Sequence, residues 1–138
     1  MKAIVDTCVW SLSLRRRNQA RLNAQEQKML VELGEAIRDR RAAIIGPIRQ
    51  EVLSGIRDKA WFAKTAELLD PFLDEEITSK DYVEAARLFN LCRNHGVECG
   101  PVDILICSVA VGHGFGVLTT DKGLIRCVEA LRAEGFNL

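Results

Sequence analysis

The chain opens on a short apolar run, Ala3-Ile4-Val5, that ends directly in a carboxylate, Asp6. No other feature constrains the fold as strongly. Bounded apolar runs of this kind are typical of strands buried on both faces of a parallel sheet. In open α/β sheets, ligands sit outside the carboxyl ends of the strands, near the point where strand order reverses. A first strand is often central there, so Asp6 stands where chemistry is expected. The question is which residues join it.

Later runs repeat the arrangement. Ala42 to Gly46 reads as a second buried strand. Pro47 then fits the first turn of a helix, where its missing N–H costs nothing, and Glu51 lies one turn further in. Gly100-Pro101-Val102-Asp103 opens a helix whose residues Ile104, Leu105, Ile106, Val109 and Val111 make it apolar nearly all round. Such a helix packs buried on the sheet, which puts Asp103 in its first turn. Val117 to Thr120 reads as another strand, and it too ends in a carboxylate, Asp121.

The intervening segments are helical in pattern. Thr7 to Leu14 carries Trp10 and Leu14 on one face. Asn23 to Arg40 has Asn23 as N-cap with Glu26 three residues on, a capping-box arrangement, and Leu30, Leu33 and Ile37 as its apolar stripe. Trp61 to Leu69 is closed by Asp70-Pro71. Thr78 or Ser79 caps a helix that runs to about Asn94 and ends near Gly96. The last helix spans about Lys122 to Ala133. Pro71 to Ile77 is a weak strand or an extended link, and Phe136-Asn137-Leu138 is a candidate edge strand.

The 138 residues fit one domain, 1–138, and 48% hydrophobic with 28% charged residues describes a globular chain. No apolar run approaches the roughly 18 residues of a membrane span. The amino terminus leads straight into the first strand rather than into a signal peptide. Both observations point to the cytosol and to no membrane partner. The five cysteines, without close pairing, make a poor disulfide framework. Cys8 and Cys107 read as small core fillers. Cys92, His95 and Cys99 are close in sequence, but three ligands without a second cluster do not complete a structural zinc site.

Formal net charge is zero, which argues against a surface coated for nucleic acid. The charge is nevertheless uneven. Residues 1–60 hold twelve Lys/Arg against seven Asp/Glu, and residues 61–138 hold seven against twelve. The basic excess lies in Arg15, Arg16, Arg17 and Arg21 and in Arg38, Arg40 and Arg41. A local basic rim suffices for a phosphate backbone, although each cluster can equally be a solvated face.

Asp6 and Asp121 thus follow strands, and Glu51 and Asp103 open helices beside strands. In a doubly wound sheet all four project at one edge. Taken singly, Asp6 and Asp121 can be N-caps worth about 1 kcal/mol each, Asp103 a dipole-complementing acid and Glu51 a surface residue. Taken together, like charges in one pocket repel, and without a cation some must bind protons. A hard divalent cation, Mg²⁺ or Mn²⁺, resolves the repulsion with oxygen ligands and can activate water for phosphodiester hydrolysis. Neither His95 nor His113 lies in a metal-pair or triad-like spacing, and no Gly-x-Ser-x-Gly elbow or phosphate-binding glycine loop occurs.

In this arrangement the sequence resembles the PIN-domain ribonucleases, in the branch of VapC-like toxins of toxin–antitoxin systems. The matching pieces are IVDTCVW with Asp6, GPIRQEVLSG with Glu51, PVDILICSVA with Asp103 and GVLTTD with Asp121. The resemblance implies an α/β/α sandwich around a central, mainly parallel sheet of four to five strands. It implies Mg²⁺ or Mn²⁺ held by Asp6, Asp103, Asp121 and Glu51, with Thr7 and Thr119 or Thr120 orienting ligands or water. It further implies endonucleolytic RNA cleavage by metal-activated water, homodimerisation and a cognate antitoxin. Arg15, Arg16, Arg17 and Arg21 are candidates for the RNA backbone. The rivals are a PIN nuclease acting on other RNA or DNA and a catalytically silent PIN-like module that binds partners.

Overall fold

A computed structural model describes residues 1–14 and 21–138. Among them lie three strands and seven helices in the order β1 (Ala3–Val5), α1 (Thr7–Leu14), α2 (Ala24–Arg38), β2 (Ala42–Ala43), α3 (Gly46–Ser54), α4 (Lys59–Leu69), α5 (Ser79–Asn94), α6 (Pro101–His113), β3 (Gly116–Leu118) and α7 (Lys122–Ala133). The strands form one parallel sheet in the order β2-β1-β3. Parallel neighbours need crossover connections, and helices supply them here. The first strand is central. Ala3 and Ile4 pair with Ala42 and Ala43 on one side, while Ala3, Ile4 and Val5 pair with Gly116, Val117 and Leu118 on the other.

Local chemistry sets the helix starts. Asn23 accepts a hydrogen bond from the Glu26 N–H (2.8 Å), and Glu26 accepts one from the Asn23 N–H (3.2 Å), closing the expected capping box. Asp81 accepts from the Thr78 N–H at 2.7 Å and does the same for α5. α6 carries its proline at the start, and Ile104 to Ala110 are all buried. It packs on β1, β3, α5 and α7 and forms the spine of the core. Trp10 is also core, 2% exposed and edge-on to Phe72 at 4.9 Å. In α2 the inward face falls on Leu33 and Ala36, while Ile37 turns out to 39% exposure.

The sheet has three strands among the described residues, not the expected four to five. Residues 71–77 contribute a single isolated bridge, Ile44 to Asp74, with the Glu75 N–H donating to the Ile44 carbonyl at 2.8 Å. Leu73, 84% exposed, buries nothing that would prolong the ladder. At the carboxyl end, the Phe136 N–H donates to the Leu131 carbonyl and the Arg132 guanidinium to the Leu138 carbonyl. The tail therefore folds back on α7 instead of pairing with the sheet.

The cysteine expectation also needs correction. Cys99 and Cys127, 28 residues apart, form a disulfide. It joins the segment just ahead of α6 to α7, two elements that meet only once the helices have packed. Cys92 and Cys107 are buried free thiols. Burial raises both, with Cys107 pushed up to about 12 by burial first and then by Cys92 and Asp103.

Candidate metal centre

The carboxyl end of β1 anchors the site. The ladder to β3 runs one residue past the strand, because the Asp6 N–H donates to the Leu118 carbonyl at 3.0 Å. The Asp6 carbonyl then accepts from the Val9 and Trp10 N–H groups, so the chain turns from strand to helix at this residue. Asp6 is 7% exposed, and its carboxylate is held from both sides. The Thr7 N–H donates to Oδ1 at 2.8 Å, and the Thr119 hydroxyl donates to Oδ2 at 2.7 Å.

Thr119 also links Asp6 to the end of β3. Its Oγ1 accepts from the Asp121 N–H at 3.0 Å. Asp121 in turn caps α7, accepting from the Leu124 N–H at 2.9 Å. The capping role weighed from sequence is therefore present, and Asp121 combines it with a place beside the other acids. Thr120 follows a different path, its hydroxyl donating to the Cys8 sulfur at 3.4 Å. Cys8 is half-buried rather than a plain core filler, and its Sγ lies 3.6 Å from both Asp6 Oδ2 and Thr119 Oγ1. The Thr7 hydroxyl is buried and has no hydrogen-bond partner among the described residues.

Asp103 sits half-buried in the first turn of α6. Its pKa is raised to about 6, first by burial and then by the negative charges of Asp6, Asp121 and Glu51. That order of influence places the four acids in one electrostatic field. Glycines leave the room between them. A Cβ at Gly123 would lie 3.1 Å from Asp121 Oδ2 and 3.9 Å from Asp103 Oδ2, and one at Gly100 would lie 3.7 Å from Asp103 Oδ2. A side chain at position 123 would therefore press on the Asp121 carboxylate and touch that of Asp103. Sequence reasoning missed Gly123 and Cys8. The signal for Gly123 was present, a glycine two residues after a strand-end acid at a helix start.

Among the described residues, none of the four acids forms an ion pair, and no three His, Cys, Asp or Glu side chains stand close enough as they are to hold one metal ion. Shared ligation thus needs the carboxylates to draw together. The donor set fits a hard cation: every nearby acid supplies oxygen, and Asp103 is raised first by burial and then by the negative charge of its neighbours, which a cation would offset. The Cys92, His95 and Cys99 trio does not converge. Cys92 Sγ faces the Cys127 carbonyl at 3.8 Å, His95 Nε2 meets Glu134 at 2.6 Å, and Cys99 is spent in the disulfide.

The family model of the PIN domain matches residues 3–129. The chain belongs to the PIN domain family. A search of curated proteins returned no match. PIN domains are typically nucleases that use divalent metals, and the mixed α/β fold with its small parallel sheet is consistent with a PIN-like α/β/α arrangement. The match spans β1 with Asp6, α3 with Glu51, α6 with Asp103 and the start of α7 after Asp121. No helix among the described residues is long and apolar enough to cross a membrane. Of the basic rim, Arg15, Arg16 and Arg17 lie outside the described residues, and Arg21 is exposed ahead of α2.

Proposed function

We propose that this PIN domain, spanning residues 1–138, is a Mg²⁺- or Mn²⁺-dependent endoribonuclease, the VapC-like toxin of a toxin–antitoxin pair. The observation that carries the reading is the Asp103 carboxyl, raised to about 6 by burial and by three other acids at the same sheet edge. Asp6 and Asp103 would hold the ion, with Asp121 and Glu51 completing the site directly or through water. When bound, the ion supplies charge neutralisation at the phosphate and acidifies water for hydrolysis.

The chain's own residues do the rest. Thr119 and the Thr7 N–H fix both oxygens of Asp6, so its orientation is set before substrate arrives. Thr119 also ties the Asp121 backbone to Asp6, which couples the positions of two acids. Asp103 holds a proton under mildly acidic conditions and releases it above about pH 6, when it becomes available as a ligand. Arg15, Arg16, Arg17 and Arg21 would meet the RNA backbone as positioning charges. A homodimer in the cytoplasm, restrained by an antitoxin whose Arg or Lys enters the acids, completes the proposal.

The test is a panel of structured RNA, single-stranded DNA and duplex DNA, each with Mg²⁺, Mn²⁺ or EDTA. Cutting of RNA that EDTA abolishes supports the reading. Equal cutting of DNA would replace it with a broader nuclease, and inertness towards all three without metal binding would favour the silent binding module.

A further inference from the structure

Beside the acids lies a cavity of about 390 Å³ that extends away from them, with Glu51 and Thr7 in its lining. Residues of α1 and α3, the turn after α3 and the start of α4 line it. Leu14, Val52, Ile56 and Trp61 make it apolar, while Thr7, Ser11 and Glu51 are its polar residues. Its volume lies at the small end of the roughly 300–1,000 Å³ of ligand pockets. Thr7 follows Asp6 directly, and Glu51 is one of the acids that raise Asp103. The cavity and the acid cluster therefore share a wall.

We propose that this cavity seats one nucleobase of a single-stranded RNA, from the nucleotide next to the phosphate held at the acids. The inference rests on the nuclease reading above and adds a specificity-determining site to it. An RNA strand whose phosphate lies at the acids has its neighbouring base within one nucleotide of the shared wall. Unpaired bases are read by packing their faces on apolar and aromatic side chains and by hydrogen-bonding their edges. Leu14, Ile56 and Trp61 offer the first, and the Glu51 carboxylate accepts N–H donors of a base edge. The same carboxylate disfavours a phosphate inside the cavity, so the base enters and the backbone stays outside.

Gly55 provides the test. Its φ of −79° and ψ of −4° suit any residue, and a Cβ there meets only the Val52 and Glu51 carbonyls, at 3.7 and 4.0 Å. Gly55→Leu adds bulk at a lining position without removing another lining side chain, and Gly55→Ala serves as the tolerated control. Labelled hexanucleotides of A, C, G or U would be titrated by fluorescence anisotropy with Mg²⁺ in an Asp103→Asn background, which slows cutting. One base is expected to bind tightest, and Gly55→Leu should weaken it about tenfold and erase the preference, in line with the worth of one stacked base. Trp61→Leu should also flatten the preference, which keeps the test alive if Gly55→Leu fails to fold.

Base-independent binding that neither variant changes would overturn the proposal. So would Gly55→Leu weakening an arginine-rich peptide but not the RNA, since the cavity would then dock protein. The nuclease reading is separable through cleavage by protein with Asp103 intact. An unchanged cleavage pattern in Gly55→Leu removes the base pocket and leaves the nuclease. Base-selective binding lost in Gly55→Leu, with no RNA cut by the parent, keeps the pocket and removes the nuclease.

Discussion

Two groups of potential metal ligands in this chain met opposite fates. Cys92, His95 and Cys99 lie within eight residues of one another, yet the fold sends one to the core, one to a surface pair with Glu134 and one into a disulfide. Asp6, Glu51, Asp103 and Asp121 span most of the chain, yet the charges of the other three all reach Asp103. The difference is topological. A helix end scatters its neighbours around its circumference, whereas parallel strands and the helices that follow them deliver their first residues to one edge. Nearness in sequence is therefore a weaker guide to a site than equivalence of place in the fold.

That contrast can be broken or sharpened by substitution. The largest expected effect is from Asp103→Asn, which removes an acid without changing shape. RNA cleavage should fall on the order of 10²–10³-fold, because a bound ion contributes several kcal/mol at the transition state; single-turnover cleavage measures it. Thr119→Val should come next. It takes a hydrogen bond from Asp6 and an acceptor from the Asp121 N–H, and losses of such supporting groups cost about 10–100-fold in activity or metal affinity. Cation titration of this variant should show the weakened affinity.

Gly123→Ala separates site from scaffold. Alanine in a helix is favoured over glycine by about 1 kcal/mol, so thermal unfolding should show no loss of stability. Its Cβ nevertheless falls 3.1 Å from Asp121 Oδ2, and cleavage should drop about tenfold, as for a disturbed supporting group. A parallel loss of stability and activity would instead mark Gly123 as structural.

The pH dependence of the metal-free protein is a smaller effect. Asp103 has a folded pKa of about 6 against an ordinary 3.8. The folded state binds its proton more tightly, so this group's stabilising contribution is full below about pH 4 and is lost as pH rises through 6. Chemical denaturation across that window should show the slope, and Asp103→Asn should remove it. The smallest effect is expected from His95→Ala, which breaks an exposed pair worth less than about 1 kcal/mol. Cleavage and cation uptake should stay within about twofold; a marked loss would mean that the Cys/His region belongs to the site after all.

The pattern of what was legible follows the same physics. The capping box at Asn23 and a cap at Thr78 or Ser79 were readable because their determinants lie within four residues of each other. β1 was readable because a strand buried on both faces is a bounded apolar run. The sheet edges were not. Residues 71–77 and 136–138 have strand-like composition, but their backbone groups found Ile44, Leu131 and Arg132 through tertiary packing. The Cys99–Cys127 bond and the contacts of Cys8 with Thr119 and Thr120 likewise arise only between elements distant in sequence. The four acids were visible because Asp6 and Asp121 follow strands, Asp103 opens a helix and Glu51 lies one turn past a helix-opening proline; the half-burial that raises Asp103 was not.

The central claim is that these four acids form one cation site, and Mn²⁺ titration by calorimetry tests it most directly. The account predicts binding by the parent protein that Asp6→Asn and Asp103→Asn each weaken strongly, that Cys92→Ala leaves unchanged and that grows as pH rises through about 6. Mn²⁺ affinity that survives both acid substitutions, or that follows Cys92 instead, would contradict it.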